Sequence, residues 1–79
     1  MPEISLDDIL KLVGLQLGKR SVTATDRLVE DLNAESVDLM NLVVAIEAKY
    51  GVAIKESEIA RIFTPQDLFE LVLKKNVKK

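Results

Sequence analysis

Cysteine, histidine and tryptophan are absent from this sequence of 79 residues, which also holds only three glycines and two prolines. Without cysteine and histidine the chain cannot form a disulfide, a Ser-His-Asp or Cys-His nucleophile, or a zinc site other than an all-carboxylate one. At this length folding buries only roughly 60% of the chain surface, which argues against a deep enzyme cleft. The sequence therefore predicts one domain, residues 1–79, that is stabilised by packing alone and is not an enzyme.

Long apolar runs are also absent, although 48% of the residues are hydrophobic. No run approaches the roughly 18 residues that span a bilayer. Residues 1–6 lack the basic and then apolar segments of a signal peptide. We therefore expect a soluble, cytoplasmic protein without membrane insertion.

The formal net charge of −2 conceals an uneven distribution of charge along the chain. Residues 26–58 carry eight acids and three bases, whereas the rest of the chain carries five acids and eight bases. The acidic middle predicts a surface that attracts basic partners. Four lysines in residues 74–79 could suggest nucleic acid, but no basic or aromatic platform accompanies them. We expect a frayed basic tail there and no nucleic-acid binding.

The first and last helices have clear boundary signals. Ser5 begins a variant capping box, apolar residues then recur at helical spacing, and Gly18 is placed to end the helix. Thr64 is a predicted cap, and Pro65 suits the first turn of a helix, where its missing N–H costs nothing. This helix is predicted to end near Lys74.

Between these helices the spacing predicts a long helix over Ser36–Tyr50, stopped by Gly51, and one or two helical turns within residues 56–61. Residues 52–54 allow a short extended stretch. The fold class is therefore all-α, a small four-helix bundle of three main helices and one short helix. Residues 18–35 form a long ordered loop after the first helix, which we expect to be pinned to the bundle by Val22, Leu28, Val29 and Leu32.

Two rows of residues, or stripes, run along the predicted second helix, each with the spacing i, i+4, i+7 and i+11. The two stripes lie more than about 100° apart around the helix axis. The stripe predicted to face the core comprises Leu39, Val43, Ile46 and Tyr50. The other comprises Val37, Asn41, Val44 and Ala48. Because a helix in a small bundle cannot easily bury both sides, the second stripe is either covered by neighbouring helices or exposed for binding. Glu35, Asp38 and Glu47 form a charged rim beside it, which favours docking.

A family resemblance centres on the start of this helix. The segment Leu32–Asp38 reads Leu-Asn-Ala-Glu-Ser-Val-Asp, and residues 42–47 read Leu-Val-Val-Ala-Ile-Glu. The pattern resembles the acyl carrier proteins, whose hallmark is Gly-x-Asp-Ser-Leu at the start of a long helix. The resemblance extends from about Leu6 to Leu73. It implies a carrier of acyl thioesters on 4′-phosphopantetheine, which serves partner enzymes of fatty-acid, lipid or polyketide biosynthesis.

By that resemblance Ser36 is the attachment residue, modified by a separate phosphopantetheinyl transferase that takes the group from coenzyme A. The thiol belongs to the cofactor, so the chain needs no cysteine. If the chain is such a carrier, the second stripe and its acidic rim predict that basic partners dock on Glu35, Val37, Asp38, Asn41, Val44, Glu47 and Ala48. The resemblance also implies an acyl pocket lined by Leu28, Met40, Val43, Ile46, Ile54, Ile59, Ile62 and Leu68. By residue type alone, Ser36 has a second interpretation as an ordinary helix N-cap, and the pocket residues as plain core.

Departures from the family pattern predict a specialised carrier rather than the housekeeping one. Asn33 stands where the family has Gly, and it tolerates the positive φ that this turn needs. Glu35 replaces Asp and Val37 replaces Leu, while the bulk of Met40 and Ile59 predicts a limited acyl length. The alternative function is an unmodified carrier-like interaction subunit in which Ser36 only caps. A monomer is expected, because an arm that visits several enzymes needs free access.

Overall fold

The first helix, α1, spans Leu6–Leu17 in a computed structural model that describes residues 4–77. The Ser5 hydroxyl accepts a hydrogen bond from the N–H of Asp8 at 3.1 Å, which satisfies one of the unpaired amides of the first turn. Gly18 ends the helix with φ of 68°, a left-handed conformation that costs glycine little. Both predicted boundaries are confirmed.

Three further helices follow, α2 over Ser36–Tyr50, α3 over Glu56–Ile59 and α4 over Pro65–Val77. Together with α1 they make residues 4–77 an all-α bundle, as predicted, and residues 52–54 form no strand. The Thr64 hydroxyl accepts the Asp67 N–H at 3.2 Å at the start of α4. No helix within the described residues is long and apolar enough to cross a membrane.

The end of α4 differs from the prediction of a frayed tail beginning at Lys74. The helix continues through Lys74 and Lys75 to Val77. Lys74 and Lys75 lie in the last turn, where cations interact favourably with the helix dipole, and the Lys75 ammonium also lies 3.0 Å from the Glu58 carboxylate of α3. Residues 78 and 79, which belong to the same predicted tail, lie outside the described residues.

The core forms where α1 packs against α2 and α4. It is built entirely from hydrophobic side chains, namely Ile9, Val13, Leu28, Leu32, Ala34, Leu42, Val43, Ile46, Tyr50, Ile54, Leu68 and Val72. The predicted core stripe of α2 is confirmed for Val43, Ile46 and Tyr50, whereas Leu39 is half-buried and Leu42 is fully buried.

The long loop between α1 and α2 is held against the start of α4 by backbone hydrogen bonds. The N–H of Leu28 donates to the carbonyl of Phe63 at 2.8 Å, and the N–H of Gln66 donates to the carbonyl of Ala24 at 3.1 Å. Leu28 is fully buried, as predicted, but Val29 is 56% exposed. The two neighbours differ because the turn around residues 28–32 directs only one of them inward.

Candidate functional site

A turn at residues 33–35 sets the direction in which α2 starts. Asn33 has φ of 59°, which confirms the expectation that asparagine preserves a turn with positive φ here. The N–H of Ala34 donates to the carbonyl of Leu28 at 2.8 Å, and Ala34 is buried. The turn is thereby tied to the buried end of the loop and leaves Glu35 and Ser36 on the surface.

Ser36 is the first residue inside α2, and its side chain is exposed. The N-cap is Glu35, with extended backbone at φ −101° and ψ 172°, and its N–H donates to Asp38 Oδ2 at 2.9 Å. The N-cap interpretation of Ser36 is therefore wrong, because helical backbone already begins at this residue. Within residues 4–77 the Ser36 hydroxyl has no hydrogen-bond partner.

The second stripe of α2 is exposed along its length, at Val37, Asn41, Val44 and Ala48. Val37 is 58% exposed and Val44 is 61% exposed, so no helix among residues 4–77 covers this side. Met40 is 62% exposed beside them, although it was expected to line the inner pocket. Its position three residues after Val37 and four before Val44 places it on the exposed side of the helix.

The acids beside this stripe are not equivalent. The Glu35 side chain is exposed at the N-cap of α2. Asp38 is half-buried and accepts the Glu35 N–H, and Glu47 is half-buried and accepts the Ile54 N–H at 2.8 Å. Asp38 and Glu47 therefore stabilise the backbone next to them. The sequence alone did not reveal this function, because it predicted the same surface position for all three acids.

An inner cavity of about 10 Å³ lies between α2, α3 and α4. Its lining is entirely apolar, namely Leu28, Leu39, Leu42, Val43, Ile59, Ile62 and Leu68. Five of the predicted pocket residues are in this set. Ile46 and Ile54 are buried elsewhere in the core. Leu39 and Leu42 were missed, although their i, i+3 spacing, continued by Val43 and Ile46, is a signal that could have found them.

Comparisons with known proteins agree with this geometry. Residues 7–72 match the family described as "Phosphopantetheine attachment site". The acyl carrier protein of Buchnera aphidicola subsp. Baizongia pistaciae is 34% identical over 68 residues, which cover 84% of this chain and 87% of that protein.

Solved structures show the same similarity. A candidate acyl carrier protein from Mycobacterium tuberculosis superposes with a TM-score of 0.82 at 27% identity, covering 87% of this chain and 95% of that one. The acetyl actinorhodin acyl carrier protein of Streptomyces coelicolor gives a TM-score of 0.73 at 26% identity, covering 91% and 90%. These matches show that the chain belongs to the acyl carrier protein family, whose members are carriers rather than enzymes and hold acyl groups on covalently attached 4′-phosphopantetheine.

Proposed function

We propose that Ser36 is the residue to which 4′-phosphopantetheine is attached, and that the chain delivers acyl groups from this position to partner enzymes in the cytoplasm. Acyl carrier proteins act together with a phosphopantetheinyl transferase and with acyl-handling enzymes. The observation that carries the proposal is the exposed Ser36 hydroxyl at the first position of a 15-residue helix, with no part in capping that helix.

The hydroxyl groups that precede α1 and α4 are already engaged. The Ser5 hydroxyl accepts the Asp8 N–H at the start of α1, and the Thr64 hydroxyl accepts the Asp67 N–H at the start of α4. Each is part-buried in that role. Ser36 therefore differs from both, because a transferase can reach its hydroxyl without breaking a helix cap.

The start of α2 also suits a phosphodiester. Unpaired amides and the positive end of the helix dipole favour an anion there by roughly 0.3–1 kcal/mol when the site is exposed. The bound group supplies the thiol that holds acyl groups as thioesters. The chain supplies the hydroxyl for attachment, the rigid helix that orients it, and the surface beside it.

That surface is the proposed docking site for partners. Its apolar part is the exposed row of Val37, Met40, Val44 and Ala48, with Asn41 among them and Glu35 at its end. A small apolar patch with a charged rim is typical of protein interfaces. The acidic charge of residues 26–58 suits partners with basic patches. We also propose that the inner cavity is where an acyl chain enters.

Glu35→Lys is expected to slow partner reactions roughly threefold to tenfold at low salt, mainly through association, and less at high salt. Helix content should not change, because the Glu35 side chain is exposed and its backbone N–H keeps its bond to Asp38. Rates with a partner transferase at two salt concentrations, together with circular dichroism, measure both effects.

Glu70→Lys on α4 is the matched control, since it makes the same change in net charge at an exposed position away from the docking site. Asp38→Lys is unsuitable, because Asp38 holds the N–H of Glu35. If Glu35→Lys and Glu70→Lys give equal rates at low salt, the docking site is misplaced.

The proposed function is tested by incubating the purified chain with coenzyme A, Mg²⁺ and a broad-specificity phosphopantetheinyl transferase. Intact mass spectrometry should show one phosphopantetheine per chain. No gain in mass would favour the alternative of an unmodified interaction subunit with a carrier-like fold.

A further inference from the structure

Residues 54–63 cross the cavity side of the bundle and are anchored at both ends. At one end the Ile54 N–H donates to Glu47 Oε2 of α2 at 2.8 Å. At the other end the Phe63 carbonyl accepts the Leu28 N–H at 2.8 Å. The segment between these anchors contains α3, whose backbone hydrogen bonds are all local.

One ion pair joins the middle of this segment to α4. The Lys75 ammonium lies 3.0 Å from Glu58 Oε1, and the two side chains are 22% and 30% exposed. The other ion pairs among the described residues, Lys11 with Asp7 and Arg27 with Glu30, link near neighbours and are much more exposed. The Glu58 pair therefore differs in both its burial and the elements it connects.

The Glu58 carboxylate has two partners at once. Besides Lys75, it accepts the N–H of Lys55 at 2.8 Å, at the start of α3. The Lys55 N–H and the Lys75 ammonium hold the pKa of Glu58 below its usual value, since both favour the charged form. The same carboxylate thus stabilises the first turn of α3 and ties that turn to α4.

The consequence for the cavity follows from the next residues of the segment. Ile59 and Ile62 line the cavity and are only partly buried. The cavity volume of about 10 Å³ is no more than one water molecule needs, so an acyl chain cannot enter unless lining side chains move. The anchors at Ile54 and Phe63 confine outward movement to the middle of the segment, which contains α3. Because Lys75 lies on α4, that movement lengthens the Glu58–Lys75 ion pair.

We propose that the Glu58–Lys75 ion pair is a specificity-determining latch, which holds α3 over the cavity and restricts the carrier to sheltering short acyl chains. The link to acyl length rests on the proposed attachment at Ser36. The latch itself does not, because it acts in the unmodified chain.

Lys75→Met tests the ion pair without disturbing the start of α3, because it removes the ammonium and leaves the Glu58 carboxylate bonded to the N–H of Lys55. Glu58→Gln is the second variant, which keeps an oxygen for the Lys55 N–H and removes the charge. Lys11→Met is the control, since it removes an exposed ion pair on α1. All three changes are at exposed or part-exposed side chains, so we expect the variants to fold.

The first measurement is hydrogen–deuterium exchange of the unmodified chains. In Lys75→Met and Glu58→Gln the amides of residues 59–62 should exchange roughly twofold to fivefold faster than in the wild type. A change of this size corresponds to the loss of one partly exposed ion pair. In Lys11→Met they should exchange as in the wild type. Unchanged exchange in both latch variants would overturn the latch, whether or not Ser36 can be loaded.

The second measurement is the thermal midpoint of chains loaded with saturated acyl groups from butanoyl to dodecanoyl. In the wild type the gain in midpoint should be largest for the short groups. In the two latch variants the largest gain should shift to longer groups. Faster exchange with an unchanged dependence on acyl length would overturn the role in specificity. If neither the wild type nor any variant can be loaded with phosphopantetheine, the assignment of Ser36 as the attachment residue is contradicted. The hydrogen–deuterium exchange comparison would then still show whether the Glu58–Lys75 pair holds α3 in place.

Discussion

Ser36→Ala is expected to abolish attachment of phosphopantetheine completely while the free energy of unfolding stays within about 0.5 kcal/mol of the wild type. Attachment needs the hydroxyl oxygen as the nucleophile, and alanine has none. Stability does not need it, because the hydroxyl has no hydrogen-bond partner within residues 4–77 and the N-cap is Glu35. Alanine is also a good helix former at this position. Intact mass after incubation with the transferase and urea unfolding measure the two effects.

Ser57→Ala is the matched control for this prediction. Ser57 is also exposed and also lies in the first turn of a helix, α3. Its variant should gain one phosphopantetheine as the wild type does. Modification of the Ser36→Ala chain, or loss of modification in Ser57→Ala, would contradict the assignment.

Leu28→Ala is expected to lower the free energy of unfolding by about 2–5 kcal/mol. The Leu28 side chain is fully buried, and it packs beside Leu42 and Leu68 at the inner cavity. Truncation would leave a larger void there, and it would weaken the point at which the long loop meets the bundle. Since native proteins are stable by only about 5–15 kcal/mol, this loss should lower the urea midpoint clearly. Urea unfolding followed by circular dichroism gives the change.

Val29→Ala is the control for Leu28→Ala, because Val29 is the next residue and is 56% exposed. Its cost should stay below about 1 kcal/mol. Equal costs for the two variants would mean that the loop is not pinned through Leu28, and the account of the fold would need revision.

Helix boundaries were predictable because their signals are local. Ser5 and Thr64 cap helices through hydrogen bonds to residues three positions on, and Gly18 and Gly51 end helices in left-handed conformations. The positive φ of Asn33 was predictable for the same reason. The motif around Ser36 was equally local, so the family could be identified from the sequence.

Predictions that depended on distant contacts were less accurate. Helical spacing groups Met40 with Val37 and Val44, but it could not show that this side of α2 is the exposed one, because both sides are apolar and only packing decides which is covered. The ion pair of Lys75 with Glu58, which accompanies the continuation of α4, joins residues far apart in the sequence.

The most direct test of the central claim is the position of the pendant group on the wild-type chain. Trypsin releases residues 28–49 as one peptide, in which Ser36 is the sole hydroxyl side chain. After incubation with coenzyme A and the transferase, peptide mass spectrometry should find phosphopantetheine on this peptide alone. Its presence on any other peptide, with residues 28–49 unmodified, would contradict the account.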